Sequence, residues 1–284
     1  MKLSIIIPVY KETNGLNHLI DDLNENSKNQ NFEVILIDDG NEKELKIENT
    51  NNLDIKILKN ETNKGYGYSI KKGVANSKND VIAIIDADNS YKINDLLKLY
   101  DIFLNDKSKL IVGKRNFNYQ ESLPRVIFRN FLKTFSSIMF QYNIEDINSG
   151  LRIFNKKDFN EFVNYYPDKF SITSTQTLCY IMKSKNIHYH AIQYDKRVGI
   201  SKINIIKDPF NFIFLILKIF LIFSPLKFFG GIGIFFIILS FLNIIVSLFA
   251  FDKIADISSI IFFTSGINFI FFGLIGEIIR LKIK

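Results

Sequence analysis

The stretch VIAIIDADNS, residues 81–90, decides the fold, because five apolar residues lead directly into two carboxylates. A continuous apolar run of this length is typical of a strand that is buried on both faces of a parallel sheet. Asp86 and Asp88 then stand at the carboxyl end of that strand, one residue apart. Ligands of open α/β sheets bind at this edge, so the stretch predicts both a fold class and the place of a site.

The chain on both sides of this stretch alternates between strand and helix patterns. Strands are predicted at 3–8, 32–37, 54–58, 81–85 and 110–113, and helices at 15–27, 66–76 and 94–104. This alternation predicts an α/β domain with a mostly parallel sheet and helices on both faces. The polar clusters Tyr10-Lys11-Glu12 and Asp38-Asp39 also follow strands, so we expect them at the same edge as Asp86 and Asp88.

The carboxylates at positions 86 and 88 are candidate ligands for a hard cation, because two oxygens at a strand end can share one ion with water and phosphate. An Asp-x-Asp pair by itself is more often a solvated turn, but its place after a buried strand favours a functional site. Asp38 could accept a hydrogen bond from a nucleobase, and Tyr10 offers a ring for stacking on the base. For Asp38-Asp39-Gly40, a plain turn is the alternative.

Two further features point to phosphate chemistry. The stretch NKGYG, residues 63–67, precedes a helix, and its glycines would let the backbone approach a diphosphate or a sugar. An ordinary loop-to-helix turn is the alternative. Arginine offers bidentate contacts to phosphate, although any single arginine can simply be a solvated surface residue. Five arginines stand out in the second half of the first 208 residues: Arg115, Arg125, Arg129, Arg152 and Arg197.

The C-terminal part is apolar. Residues 228–251 and 257–276 contain no charged side chain, and each run is long enough to cross a bilayer as a helix. A buried helix in a soluble protein is the alternative. Residues 209–226 are broken by Lys218 and end at Pro225, so we predict a helix in the membrane interface, with a third full span as the alternative. The predicted organisation is a domain at 1–208, an interfacial helix at 209–226 and a two-helix anchor at 227–284.

Charge and cysteine content indicate the compartment. Basic residues lie before the first span and after the second. By the positive-inside rule, the start of the first span and the end of the second are in the cytoplasm, and the short loop between them is outside. The front domain lacks a signal peptide pattern, and the single cysteine, Cys179, excludes an intrachain disulfide. We therefore expect an integral protein of the plasma membrane whose front domain lies in the cytoplasm, with a bacterial inner membrane as the default and an archaeal membrane as the alternative. The basic flanking residues are Lys227, Arg280, Lys282 and Lys284.

The net charge of +7 does not indicate a nucleic-acid partner, because the lysines are scattered and form no dense block with interleaved aromatic residues. Such an excess suits an anionic lipid surface or phosphorylated substrates. The apolar spans are compatible with a homo-oligomer that packs through its helices.

Taken together, the motifs resemble those of family 2 glycosyltransferases. The stretches SIIIPVYKE (4–12), IDDGN (37–41), NKGYG (63–67) and DADN (86–89) occur in the order and spacing of that family. The stretches VGKR (112–115), DINSGLR (146–152), RVGISK (197–202) and GLIGEIIR (273–280) are similar to the polyprenyl-phosphate branch. That branch includes dolichol-phosphate mannosyltransferases and undecaprenyl-phosphate glycosyltransferases. The resemblance covers essentially the whole chain.

The resemblance implies a GT-A fold and a site made of named residues. Asp86 and Asp88 would hold Mg²⁺ or Mn²⁺ against the donor diphosphate, and Asp146 would lie beside the acceptor. The nucleotide pocket would be lined by Pro8, Tyr10, Glu12, Asp38, Gly65 and Asp86. The donor and acceptor phosphates would be held by Arg115, Arg129, Arg197, Ser201 and Lys202, with Arg125 and Arg152 as further phosphate or acceptor contacts.

The implied reaction is inverting transfer of a sugar from a nucleoside-diphosphate sugar to a polyprenyl phosphate, for a cell envelope glycan. A phosphate monoester is largely anionic near neutral pH, so we expect Asp146 to orient groups rather than to act as a strong base. Lys114 and the neutral residues 171–177 depart from the family pattern and leave the donor sugar open. The alternatives are a non-catalytic scaffold or another membrane acceptor. A processive synthase is disfavoured because the chain has no tryptophan for a Gln-x-x-Arg-Trp motif.

Overall fold

The computed structural model describes residues 2–26, 32–45, 47, 53–117, 122–169, 171–195, 207–251 and 256–282. The chain forms two compact units, Met1–Ile213 and Phe214–Lys284. The strands are β1 (Leu3–Val9), β2 (Glu33–Asp38), β3 (Asp54–Lys59), β4 (Val81–Ile84), β5 (Leu110–Phe117), β6 (Arg152–Asn155) and β7 (Ile187–Tyr194). The helices are α1 (Thr13–Asn26), α2 (Tyr66–Asn76), α3 (Ile93–Asn105), α4 (Leu123–Phe140), α5 (Lys156–Asn160), α6 (Ile172–Met182), α7 (Lys207–Phe223), α8 (Pro225–Phe251) and α9 (Asp256–Lys282).

The seven strands form one sheet in the order β3-β2-β1-β4-β6-β5-β7. All neighbouring pairs are parallel except those of β6, which runs antiparallel to β4 on one side and to β5 on the other. The predicted mostly parallel α/β sheet is therefore confirmed. Because β6 is reversed, its first residue, Arg152, pairs with Ile84 near the end of β4. The carboxyl ends of β1, β2 and β4 and the amino end of β6 thus lie along the same edge.

The core explains why these segments became strands and helices. Strands β1, β2 and β4 are buried along almost their whole length, as their continuous apolar runs require. Helix α1 packs its apolar face, Leu16, Leu19, Ile20 and Leu23, into the same core. The spacing of three and four residues puts these side chains on one side of the helix. Burying each of them contributes about 1.5–3 kcal/mol.

The C-terminal unit contains two long apolar helices. Among the residues that the structure describes, α8 and α9 are the two helices long and apolar enough to cross a membrane, judged by length and composition. They approach closely at Gly233 and Gly266, where a Cβ on either glycine would lie within 2.7 Å of the other's carbonyl oxygen. Ser240 Oγ also donates to the Ser259 carbonyl oxygen at 2.7 Å. Small residues and interhelical hydrogen bonds of this kind are what joins apolar helices in lipid.

Candidate active site

The ends of β1 and β2 are joined by Asn41. Its Nδ2 donates to Asp38 Oδ1 at 2.7 Å and to the Val9 carbonyl oxygen at 3.1 Å, and its Oδ1 accepts from the Lys11 amide at 2.7 Å. Asp38 is therefore fixed at the strand end, beside the β1 end that carries Pro8, Tyr10 and Glu12. The structure brings these four candidate nucleotide-binding residues to one corner of the site, and their contact with a nucleotide stays a prediction.

Asp39 holds the loop before α2. Its Oδ1 accepts from the Lys64 amide at 2.9 Å and its Oδ2 from the Gly65 amide at 2.9 Å. Gly65 has a φ of 106°, and a Cβ there would lie 2.7 Å from backbone atoms of Asp168 and Lys169. The space beside this glycine is thus filled by protein, and its N–H already has an acceptor. The structure shows a packing reason for the glycine that the sequence interpretation missed, and its contact with a nucleotide stays a prediction.

Asp86 lies between a tyrosine and a glycine from distant parts of the chain. The Tyr66 hydroxyl donates to Asp86 Oδ1 at 2.8 Å. On the other side, a Cβ added to Gly150 would lie 2.5 Å from Asp86 Oδ2. Burial, and then the charge of Asp86, raise the pKa of the Tyr66 phenol well above its ordinary value. The phenol therefore keeps its proton and acts as a hydrogen-bond donor.

Residues 86–90 form what we call the carboxylate turn. Asp88 Oδ1 accepts from the Ser90 amide at 3.1 Å and from Ser90 Oγ at 2.5 Å. Asn89 between them has a φ of 56°, which is the left-handed conformation that Asn tolerates. The start of α1 is pressed onto the turn, because a Cβ on Gly15 would lie 2.6 Å from the Ala87 carbonyl oxygen.

The carboxylate turn fits a shared cation better than a closed metal site. Among the described residues there is no cluster of three or more His, Cys, Asp or Glu side chains able to hold a metal ion. Two carboxylates offer hard oxygen ligands, and a Mg²⁺-like ion usually completes its shell with water and substrate phosphates. The residues present therefore fit an ion that arrives together with a diphosphate.

Arg115 and Asp146 form a buried ion pair. Arg115 Nε donates to Asp146 Oδ2 at 2.8 Å and Nη2 to Oδ1 at 2.9 Å, so the contact is bidentate. Burial by itself would raise the pKa of the Asp146 carboxyl. The charge of Arg115 and the hydrogen bonds from Arg115 and Asn148 outweigh burial and hold that pKa below its ordinary value. Asp146 is therefore ionised at neutral pH.

Aromatic rings bring a second arginine to this pair. The Arg115 guanidinium lies 5.4 Å from the Phe117 ring centroid, and the Arg129 guanidinium lies 4.3 Å from the same centroid. Arg125 is exposed one turn earlier on α4. The structure thus brings Arg115, Arg129 and Asp146 together, and their contact with donor or acceptor phosphates stays a prediction.

Three predicted site residues, Arg197, Ser201 and Lys202, lie outside the described residues. The last described residue before them is Asp195, whose amide donates to the Ser90 carbonyl oxygen at 3.0 Å. Asp195 also forms an ion pair with Lys92 at 2.6 Å. Asp195 itself therefore lies next to the carboxylate turn.

Arg152 differs from its predicted role. It has no exposed surface, so it cannot contact an acceptor phosphate in this structure. Its Nη2 donates to the Ser149 carbonyl oxygen at 2.6 Å, and its Nη1 donates to the Thr173 carbonyl oxygen at 2.8 Å. Arg152 instead connects the loop 146–150, which carries Asp146 and Gly150, to the start of α6. The sequence showed Arg152 as one of five arginines in this part of the chain but could not show that this one is enclosed.

Sequence reasoning also missed the neutral residues that hold the charged ones. The Tyr91 hydroxyl accepts from the Gly150 amide at 2.8 Å, and Ser174 Oγ donates to Asn148 Oδ1 at 2.5 Å. With Tyr66, these side chains surround the loop 146–150 and the carboxylate turn. Tyr66 lies in the stretch NKGYG, and Ser174 lies among the neutral residues 171–177, so both lie in segments that the sequence analysis had singled out. Tyr91 lies in none of them.

The comparisons with known proteins identify families for both parts of the chain. Residues 4–163 match the family model described as glycosyl transferase family 2, and residues 224–280 match the one described as GtrB C-terminal hairpin. A dolichyl-phosphate beta-glucosyltransferase of Dictyostelium discoideum is 29% identical over 177 residues, which are 55% of this chain and 54% of that protein. An undecaprenyl-phosphate 4-deoxy-4-formamido-L-arabinose transferase of Proteus mirabilis is 23% identical over 294 residues, 98% of this chain and 88% of that protein. The chain thus spans about half of the first relative.

A solved structure supports the fold assignment. Glucosyl-3-phosphoglycerate synthase from Mycobacterium tuberculosis, in complex with Mn²⁺, uridine diphosphate and phosphoglyceric acid, matches with a TM-score of 0.62 at 12% identity. The match covers 77% of this chain and 78% of that one. At this identity the likeness shows the GT-A fold alone. Because the family model spans more than half of the chain, at residues 4–163, the chain belongs to glycosyl transferase family 2.

Proposed function

We propose that the enzyme transfers a sugar from a nucleoside-diphosphate sugar to the phosphate of a polyprenyl phosphate, with inversion at the anomeric carbon. The relatives from Dictyostelium and Proteus are named for dolichyl-phosphate and undecaprenyl-phosphate, which supports this class of acceptor. The structural observation that carries the proposal is an exposed apolar face on α4, the helix that also holds Arg129 beside the Arg115–Asp146 pair.

The exposed face of α4 is unusually apolar for a water-soluble surface. Leu123 is 76% exposed, Ile127 67%, Phe131 49% and Ile138 71%. Their spacing of four, four and seven residues puts them on one side of the helix. The opposite side buries Leu132, Ser136 and Phe140. An exposed apolar patch of this kind marks an interaction surface, and an amphipathic helix lying in lipid is one such case.

Charge on α4 lies on the other side from the apolar face. Arg125 and Arg129 lie on the same side of the helix as the buried residues. Arg129 lies over the Phe117 ring, beside Arg115. If the apolar face rests in lipid, the arginines face the headgroup level, where the phosphate of a polyprenyl phosphate emerges. Arginine donors suit that phosphate because they bind it with charge-assisted hydrogen bonds.

In the proposed reaction, a phosphate oxygen of the lipid attacks the anomeric carbon from the face opposite the diphosphate. The new oxygen–carbon bond forms as the bond to the diphosphate breaks, and the nucleoside diphosphate leaves. Bound Mg²⁺ or Mn²⁺ would supply positive charge that offsets the charge on the leaving group. Asp86 and Asp88 would hold that ion, and Arg115 and Arg129 would bind and orient the acceptor phosphate.

Asp146 would act by orienting Arg115. Its lowered pKa makes it a weak base, and a phosphate monoester near neutral pH already carries most of its second negative charge. No strong base is then needed. Arg197, Ser201 and Lys202 would complete the phosphate contacts. The nucleotide pocket would be formed by Pro8, Tyr10, Glu12 and Asp38.

The proposed setting is the cytoplasmic face of the bacterial inner membrane. Helices α8 and α9 would cross the bilayer as the anchor at 227–284, α7 would lie in the interface, and the domain at 1–208 would stay in the cytoplasm. Both apolar helices and the match to a C-terminal hairpin family support membrane association. The lipid-linked sugar would then serve assembly or modification of an envelope glycan.

The test uses full-length protein in detergent with Mg²⁺ or Mn²⁺ and a panel of labelled UDP- and GDP-sugars. The acceptors are undecaprenyl phosphate, dolichyl phosphate and soluble 3-phosphoglycerate. We expect label from one donor to enter a polyprenyl phosphate and not 3-phosphoglycerate. Transfer to 3-phosphoglycerate alone would contradict the lipid acceptor. Nucleotide binding without transfer to any acceptor would favour a non-catalytic role.

A further inference from the structure

We propose that Tyr66 is a positioning residue of the cation site, because its hydroxyl holds the Asp86 carboxylate in the orientation in which it shares a divalent ion with Asp88. The inference rests on the proposed function, since it concerns the ion that would accompany the donor diphosphate. No motif of the sequence analysis gave Tyr66 a role of its own.

The Asp86 carboxylate is confined from two sides. Tyr66 donates to Oδ1 at 2.8 Å, and Gly150 lies so close to Oδ2 that a Cβ there would be 2.5 Å away. Rotation of the carboxylate would break the first contact or collide with the second. The hydroxyl is a neutral donor, so the carboxylate keeps its negative charge for a cation.

Tyr66 can hold Asp86 only because its own position is fixed. It is the first residue of α2, directly after Gly65, whose amide donates to Asp39 Oδ2 at 2.9 Å. Two residues later, the Tyr68 amide donates to the Asp168 carbonyl oxygen at 2.7 Å. A Cβ on Gly67 would lie 2.0 Å from the Pro167 carbonyl oxygen, so the segment 167–169 packs directly on the helix start.

Gly150, on the other side of Asp86, is also held in place by hydrogen bonds. Its amide donates to the Tyr91 hydroxyl at 2.8 Å, and the preceding carbonyl, that of Ser149, accepts twice from buried Arg152. Both walls around Asp86 are therefore anchored to the rest of the domain. A carboxylate held between two fixed walls is preorganised, and preorganised ligands do not have to be ordered when the ion binds.

The substitution Tyr66→Phe isolates this contact, because it removes one oxygen and keeps the ring that packs at the start of α2. A hydrogen bond to a charged group is worth enough to change an equilibrium constant about tenfold. We therefore expect about tenfold weaker ion binding in Tyr66→Phe. Tyr68→Phe is the matched control, because Tyr68 lies two residues later on the same helix and its side chain is exposed.

The experiment titrates Mn²⁺ into full-length wild-type protein and both variants in detergent. Free Mn²⁺ is followed by electron paramagnetic resonance at saturating UDP or GDP, whichever the wild type binds. In Tyr66→Phe the Kd of Mn²⁺ should rise about tenfold. The Kd of the nucleotide without metal and the KM of the lipid acceptor should stay at their wild-type values, and Tyr68→Phe should match the wild type throughout.

The outcomes separate this inference from the function on which it rests. Wild-type Mn²⁺ affinity in Tyr66→Phe would overturn the inference and leave the proposed function intact. Equal losses of metal, nucleotide and acceptor affinity would overturn it in favour of a general structural role. If the wild type bound no Mn²⁺ with either nucleotide, the proposed use of a metal would fail, and the inference with it.

Discussion

The carboxylate turn and the Arg115–Asp146 pair lie in one site but balance charge in opposite ways. Asp86 and Asp88 accept from the hydroxyls of Tyr66 and Ser90, which are neutral donors. Asp146 accepts from the Arg115 guanidinium in a bidentate contact. Neutral donors fix a carboxylate without cancelling its charge, whereas an arginine fixes and neutralises it. The turn therefore keeps negative charge for a cation, whereas the pair is neutral overall and Arg129 beside it adds the positive charge that suits an anion.

The largest effect is expected from removing a charge of the carboxylate turn. Asp88→Ala takes away a proposed ion ligand, and loss of the ion's charge stabilisation should lower kcat/KM by about a thousandfold or more. The measurement is initial-rate transfer to polyprenyl phosphate at saturating Mn²⁺. Asp101→Ala, which removes an exposed carboxylate on α3, is the control. A loss of less than tenfold in Asp88→Ala would remove the turn from the chemistry.

A smaller loss is expected from crowding the turn without changing its charge. In Gly150→Ala the new Cβ would lie 2.5 Å from Asp86 Oδ2, so the carboxylate or the loop must shift. Overpacking of this kind should weaken Mn²⁺ binding roughly tenfold to a hundredfold. Gly231→Ala is the control, because a Cβ there meets nothing within 4 Å. Unchanged Mn²⁺ affinity in Gly150→Ala would show that the wall beside Asp86 is not needed.

The Arg115–Asp146 pair makes a prediction about pH. Asp146→Asn should lower kcat about tenfold through misorientation of Arg115, because it removes a charge-assisted contact. Since the Asp146 pKa lies below the ordinary value of a carboxyl group, Asp146 is already ionised at any pH well above that ordinary value. The ratio of wild-type to variant rates should therefore stay constant from about pH 5.5 to 8. Glu145→Gln, which alters an ion pair with Lys114, is the control.

A ratio that changes in this pH range would contradict the orienting role of Asp146. A rise of the ratio toward high pH would mean that the carboxyl titrates near neutrality and acts as a base. The same result would break the contrast with the carboxylate turn, because the pair would then take part in proton transfer.

The smallest effect is expected on α4, away from both carboxylate groups. The double change Ile127→Ser and Phe131→Ser removes apolar surface from the exposed face, so the KM for undecaprenyl phosphate in liposomes should rise about threefold to tenfold. The KM for a short-chain prenyl phosphate in detergent should not change. Ile57→Ser, an exposed apolar position on β3, is the control. Equal effects on both acceptors would argue against contact between α4 and lipid.

The sequence predicted the parts of the fold that depend on local pattern. The run ending in Asp86 gave β4, and the predicted bounds of α2 match the observed Tyr66–Asn76. Strand β7, with the sequence IHYHAIQY, was not predicted, because a partly exposed edge strand has no continuous apolar run. Helix α4 was not predicted. Its outward apolar face could not be predicted, because a linear pattern does not distinguish an exposed apolar face from a buried one.

The candidate site was predictable where charge follows a strand and unpredictable where it depends on distant contacts. Asp38, Asp86 and Asp88 were found because each lies at or just after the end of an apolar strand. The contact of Tyr66 with Asp86 spans twenty residues, and that of Arg152 with Thr173 spans twenty-one. Such pairs depend on how elements pack, which is why Arg152 was assigned to a phosphate when it holds a loop.

The most direct test of the central claim follows two labels in one donor. The donor nucleotide sugar carries ¹⁴C in the sugar and ³²P in the β-phosphate, and the acceptor is unlabelled polyprenyl phosphate. Attack by the lipid phosphate on the anomeric carbon predicts an organic-phase product with ¹⁴C and no ³²P, and a nucleoside diphosphate that keeps all the ³²P. Both labels together in the lipid product would show transfer of a sugar phosphate and would contradict the account.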